Sequence, residues 1–77
     1  MNRMQEDLIF AAIAQYEAQH RRAEANFRVY LNRVAGVAEH PDAVGELMQL
    51  STQIAEAKDN IEVLRTFLPA TDVVEKL

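Results

Sequence analysis

The stretch GVAEHP, residues 36–41, divides the chain into two segments that each have the pattern of a helix. No glycine or proline precedes Gly36. Glycine is favoured just after a helix C-terminus, and proline is favoured in the first turn of the next helix, because its missing N–H would have no partner there. We therefore expect a first helix over about residues 3–36, a turn at 36–41 and a second helix that opens at Pro41.

The second helix should end at Leu68. Pro69 cannot continue a helix, and it disfavours helical geometry at the residue before it. Asp42 and Glu46 place negative charge near the positive N-terminal end of this helix, which stabilises it. Gly45 is a weak position, costing about 1 kcal/mol relative to alanine in a helix interior. The remaining residues, 69–77, are expected to form a short tail.

Apolar and aromatic positions recur in both segments at alternating steps of four and three, which is the period of a helix–helix seam. In the first segment the stripe consists of Ile9, Ile13, Tyr16, His20, Ala23, Phe27, Tyr30, Val34 and Val37. In the second segment it consists of Ala43, Leu47, Leu50, Ile54, Ala57, Ile61, Leu64 and Leu68.

The two stripes can be registered against each other if the chain folds back at the turn. In this register Ala23 meets Ala57, and larger pairs such as Phe27 with Ile54 lie on either side of it. The closest approach of the helices is then expected at the two alanines. The sequence thus predicts an all-α protein, an antiparallel two-helix hairpin with coiled-coil-like packing.

Length and composition exclude several classes of protein. The chain has 77 residues (8.7 kDa), 49% of them apolar, and no cysteine, so that disulfides and thiolate sites are excluded. A net charge of −4 argues against nucleic acid as the main partner. No apolar run approaches the roughly 20 residues that span a bilayer, and Glu6 and Asp7 interrupt any secretory signal near the start. We expect a single domain that needs dimerisation or a partner for stability, because a seam this narrow is a small core.

Large apolar residues lie outside the predicted seam and form the candidate partner-binding surface. The residues expected to carry binding are Phe10, Leu31, Met48, Val63 and Phe67. Leu8, Val29, Val44 and Ala55 also lie off the seam. On the back of the first helix, Ala11, Ala18 and Ala25 form a row of small side chains that another helix could approach closely.

Residues that could support catalysis are sparse. His20 lies on the seam, where a lone histidine is more often a hydrogen-bonded core residue than a ligand, and metal binding needs several converging ligands. Ser51 is the sole serine, and no histidine lies within its reach in the proposed register. No glycine-rich phosphate loop is present. We expect no catalytic, cofactor-binding or metal-binding residues, no small-molecule substrate, and a protein that is not an enzyme.

The layout resembles the small co-chaperones of the needle subunit in bacterial type III secretion systems. The features that carry the resemblance are the length, two antiparallel helices, an acid- and arginine-rich first helix, and a proline that opens the second helix. The matching residues are Pro41, Val44, Leu50, Ile54, Ala57, Ile61 and Leu64. The resemblance implies a cytoplasmic protein that pairs with a larger tetratricopeptide-like chaperone. In that family the two chains together hold the needle protein as a soluble monomer.

Other helical hairpins are open alternatives. Ile13–Arg22 and residues 67–69 are loosely similar to small antiactivators that dimerise and sequester a transcriptional regulator. Needle subunits are hairpins of similar size, although their C-terminal helix usually reaches the end of the chain, which Pro69 prevents here. An RNA-binding dimeric four-helix bundle is disfavoured by the negative charge. The common expectation is a protein partner or a homo-oligomer.

Overall fold

The computed structural model describes residues 1–36 and 42–69, with the side chains of residues 34–36 excepted. It contains two helices, α1 (Arg3–Gly36) and α2 (Ala43–Arg65), which pack against each other along their length. The molecule is a narrow rod of about 55 × 18 × 17 Å. The antiparallel helical hairpin predicted from the two apolar stripes is confirmed.

The N-terminus of α1 is closed by a reciprocal pair of hydrogen bonds between Asn2 and Gln5. The backbone N–H of Gln5 donates to the Asn2 side chain (2.8 Å), and the backbone N–H of Asn2 donates to the Gln5 side chain (3.0 Å). This arrangement is a capping box, which satisfies two backbone donors that the first turn of a helix leaves without partners. It fixes where α1 begins.

The N-terminus of α2 is capped by Asp42, whose carboxylate accepts a hydrogen bond from the backbone N–H of Gly45 (3.1 Å). The helix therefore begins at Ala43, two residues later than the expected start at Pro41. Residues 37–41 of the predicted turn, including the proline expected to open the helix, lie outside the described residues.

The end of α2 at Arg65 is three residues earlier than the sequence suggested. The N–H of Phe67 bonds to the carbonyl of Leu64, and the N–H of Leu68 bonds to the carbonyl of Arg65, both at 3.1 Å. These shorter-range bonds tighten the chain into a turn. The reason is Pro69, whose ring would clash with the carbonyl of Arg65, four residues before it, if the α-helix continued. The predicted tail lies outside the described residues from position 70 onward.

The core of the hairpin is the seam between the two helices. Every described member of the two stripes is buried or half-buried. Ala57 and Ala23 are the most buried of them, with 0% and 2% of their surfaces exposed, and Ile13 and Leu68 are also buried. Small side chains at the centre of a helix pair allow the backbones to approach closely. The side chain of Val34, and Val37 altogether, fall outside the description.

One flank of the hairpin departs from the predicted straight register. Gln19 donates a hydrogen bond from Nε2 to the carbonyl of Gln53 (3.3 Å). In a straight pairing of Ala23 with Ala57, Gln19 would be level with Ile61, about 12 Å along α2 from Gln53, because a helix rises 1.5 Å per residue. The contact of Gln19 with Gln53 is thus offset from the position that the straight register gives it.

Candidate protein-binding surfaces

Of the five predicted binding residues, Phe10 is half-buried, whereas the other four are exposed. It lies one turn before Ile13 on α1, close enough to the seam for part of its ring to be covered. Leu31, Met48, Val63 and Phe67 are exposed, with 44%, 64%, 54% and 64% of their surfaces open to solvent. Four of the five predicted residues are therefore available to a partner, and Phe10 contributes partly to the hairpin itself.

The exposed residues fall into two groups at opposite ends of the rod. The turn-end group comprises Leu31, Val44 and Met48, which lie near the residues that join the two helices; Val44 and Met48 are one turn apart on α2. The open-end group comprises Val63 and Phe67, near the other end of α2. Along the helix axis Met48 and Val63 are about 22 Å apart. The five predicted residues therefore do not form one continuous patch.

Leu31 lies beside the seam. It lines a shallow cavity of about 310 Å³ together with the stripe residues Phe27 and Ile54, and the other lining residues are Glu24 and Arg28. Phe27 and Ile54, which the predicted register pairs, both line this cavity. Because the cavity is open to solvent on the outside, a side chain from a second protein could enter it beside Leu31.

His20 lies at the edge of the seam and is half-buried. Its Nδ1 is 3.1 Å from Oε1 of Glu24, one turn further along α1, while Oε2 of the same carboxylate is 3.9 Å from Arg28. His20 is thus paired within its own helix. It also shares an open cavity of about 320 Å³ with Ile61, and the remaining lining residues are Glu17, Arg21, Lys58, Glu62 and Arg65. The charges in this cavity are mixed, with three cations and two carboxylates.

Tyr30 links the turn end of α1 to the start of α2 electrostatically. Desolvation raises the pKa of its hydroxyl, and the negative charges of Glu46 and Asp42 raise this pKa further, while Arg33 acts in the opposite direction. The carboxylates of Asp42 and Glu46 at the start of α2 are therefore close enough to α1 to raise the pKa of Tyr30.

Ser51, the serine considered above as a nucleophile, is part of α2. Its hydroxyl donates a hydrogen bond to the carbonyl of Met48 (2.9 Å), one turn earlier.

Met1, just before α1, and Met4, in its first turn, belong to neither predicted stripe and are also exposed. Leu8 and Val29, further along α1, are exposed as well. The signal that could have found Met4 is its spacing of four from Leu8, followed by Ala11 three residues later. Ala11, Ala18 and Ala25 are exposed as the sequence suggested.

The described residues, 1–36 and 42–69, contain neither a cluster of metal-ligating side chains nor a membrane-spanning helix. Within them, no three or more histidine or acidic side chains lie close enough together to hold a metal ion. In the same residues, neither helix combines the length and apolar character needed to cross a lipid bilayer.

Comparison with known proteins adds no assignment. The chain matches no family model, no curated protein and no solved structure. The class of protein is therefore defined by the fold alone, which is a two-helix hairpin with exposed apolar groups at both ends.

Proposed function

We propose that this protein is a non-enzymatic protein-binding module that acts by packing its exposed apolar groups against helices of another protein. The observation that supports this proposal is the number of large apolar side chains left in solvent: nine in the described residues of a chain of 8.7 kDa. Single exposed apolar residues are normal, but clusters of them mark interaction surfaces. The interior of the hairpin is also small, since its most buried residues are two alanines.

The finer proposal is that the module is a cytoplasmic co-chaperone of a type III secretion needle subunit in a bacterium. It rests on the resemblance carried by Pro41 and the apolar residues of α2. The separation of the turn-end and open-end groups supports a role between two proteins. Each group could contact a different chain, the larger helical-repeat chaperone and the needle subunit, or one long partner could contact both ends.

The test is co-expression of the full chain with the needle subunit and the larger chaperone of the same secretion system, followed by size-exclusion chromatography with light scattering. The wild-type chain should form a stoichiometric complex. Val63→Asp should prevent it, because a carboxylate would be buried without a partner in the contact. Leu31→Asp tests the turn-end group in the same way.

Ala55→Asp is the control. Ala55 is exposed on α2, the helix that also carries Val63, and it belongs to neither group. All variants should remain helical by circular dichroism. The proposal is overturned if the wild-type chain binds neither protein, or if Val63→Asp and Leu31→Asp both bind as well as Ala55→Asp does. Binding of a transcriptional regulator instead would favour the antiactivator alternative.

A further inference from the structure

A second stripe with the period of a helix seam runs along α1 on the side that faces away from α2. We call it the outer stripe. Its members alternate in steps of four and three and are all exposed: Met4, Leu8, Ala11, Gln15, Ala18, Arg22, Ala25 and Val29. Its three large apolar residues, Met4, Leu8 and Val29, are each more than half exposed. A 4–3 spacing of this kind is what a packed helix presents to a neighbour.

The second helix of the same chain leaves every member of this stripe exposed. Ala18 lies midway in sequence between the seam residues Ile9 and Phe27. Each of these intervals corresponds to about 2.5 helical turns, so Ala18 points away from both. The hairpin uses one side of α1 for α2 and leaves the opposite side open over most of the length of a 34-residue helix.

The outer stripe is complementary to itself when reversed. If two copies of α1 run antiparallel, with a two-fold axis between Gln15 and Ala18, a large side chain meets a small one in three of the four kinds of opposed pair, and the outermost pair joins two apolar side chains. Leu8 then packs on Ala25 of the second copy. The other opposed pairs are Arg22 with Ala11, Gln15 with Ala18, and Met4 with Val29. Such self-complementarity is what a two-fold interface requires, because the same surface is used twice.

The charges beside the outer stripe are complementary in the same register. Asp7, Arg21 and Arg28 each precede a stripe residue by one position, so they share one flank, and all three are exposed. In the antiparallel arrangement Asp7 comes to lie only about 3 Å along the axis from Arg28 of the second copy. The two-fold axis produces this pairing twice, once at each end.

The other flank carries no charge along the overlap. It is formed by Gln5, Ala12, Gln19 and Asn26. The same register of the two α1 helices therefore brings opposite charges together on one flank. On the other flank it places no two like charges next to each other. Electrostatic complementarity of this kind fixes orientation and register in helix pairs.

We propose that two copies of this chain associate through the outer stripe, with their α1 helices antiparallel around a two-fold axis between residues 15 and 18. The interface is separate from the turn-end and open-end groups, so it leaves both groups free to bind other proteins. The inference is independent of the proposed co-chaperone role, and its test reads self-association alone.

Sedimentation equilibrium of the full chain over a range of concentrations tests the proposal. The wild-type chain should populate a dimer. Ala18→Glu, which brings a carboxylate of each copy to the centre of the interface, should weaken dimerisation roughly tenfold or more. Ala55→Glu is the matched control, because Ala55 is an exposed alanine on α2, and it should leave dimerisation unchanged.

Charge exchange separates a true contact from a general loss of stability. Asp7→Arg and Arg28→Asp should each weaken the dimer, whereas the double variant should regain it, since the opposite charges again face each other across the interface. The proposal is overturned if the wild-type chain is a monomer up to high micromolar concentrations, if Ala18→Glu and Ala55→Glu dimerise equally, or if the double variant does not recover.

Discussion

The carboxylate of Asp42 occupies the space that a side chain at Gly45 would need. Its oxygen accepts the backbone N–H of Gly45 at 3.1 Å, and a Cβ atom added to Gly45 would overlap this carboxylate. Gly45 is a weak position by helix propensity, but the N-cap requires it, because a side chain there would displace the Asp42 carboxylate. Asp42→Ala should lower the free energy of unfolding by about 1 kcal/mol, as the loss of a helix N-cap does. Urea denaturation followed by circular dichroism measures this change.

Substitution of Gly45 should depend on the residue at position 42. Glycine to alanine in a helix interior normally stabilises by about 1 kcal/mol. In the wild-type chain Gly45→Ala should give no such gain, because the new methyl group displaces the capping carboxylate. In the Asp42→Ala background the gain should return. A double-mutant cycle measures the coupling, and equal effects of Gly45→Ala in the two backgrounds would contradict this account.

Replacing Ala57 with leucine tests the closeness of the helices at the centre of the seam. Ala57 is fully buried, so three additional carbon atoms would force the helices apart, at a typical cost of 1–3 kcal/mol. Ala55→Leu is the control, since Ala55 lies two residues away on the exposed surface and should change stability by less than about 0.5 kcal/mol. Similar losses in both variants would show that the helices are not in close contact at Ala57.

The Gln19–Gln53 hydrogen bond predicts a small but specific contribution of one flank to the hairpin. Gln19→Ala removes a side-chain donor to a backbone carbonyl and should cost about 0.5–1.5 kcal/mol, nearer the lower value because both residues are at the surface. Gln49→Ala, at an exposed glutamine on α2, should cost less. If the two variants were equally stable, the bond would contribute nothing in solution.

The raised pKa of Tyr30 predicts an alkaline limit to stability. The pKa of Tyr30 is higher in the folded chain than in the unfolded chain, so the protonated hydroxyl stabilises the fold. This contribution to the free energy of unfolding is fully present below the ordinary tyrosine pKa of about 10. This contribution disappears as the pH rises through the folded-state value. In a Tyr16→Phe chain, ultraviolet titration reports Tyr30 alone, and Glu46→Gln should move its pKa back toward the ordinary value. No movement would contradict the assigned cause.

The fold could be predicted from the sequence because its determinants are periodic. Alternating steps of four and three identify the seam wherever the stripe residues occur, and Gly36 and Pro69 bound the two helices. The helix ends required local chemistry that the periodicity does not contain. The Asn2–Gln5 capping box is a local motif that is independent of the stripes, and the end of α2 at Arg65 follows from where the ring of Pro69 would clash.

The exposed apolar residues could be predicted as a set, but their arrangement on the hairpin could not. The spacing shows that Leu31, Met48, Val63 and Phe67 lie off the seam, and all four are exposed. Their division into two groups about 22 Å or more apart becomes clear only when each residue is placed along a helix of known length. The identity of a partner has no local signature in the chain, because any apolar helix face of suitable shape can pack on an exposed apolar group.

The most direct test of the central claim, that this hairpin acts by stoichiometric helix-to-helix binding, is calorimetric titration of the full chain into the larger helical-repeat chaperone of the needle system. Saturable binding at a fixed stoichiometry is expected for the wild-type chain and for Ala55→Asp. For Val63→Asp or Leu31→Asp the affinity should fall by about 2 kcal/mol or more, roughly 30-fold, as at the centre of other interfaces. Heat signals without saturation, or equal affinities for Ala55→Asp and both other variants, would contradict the claim.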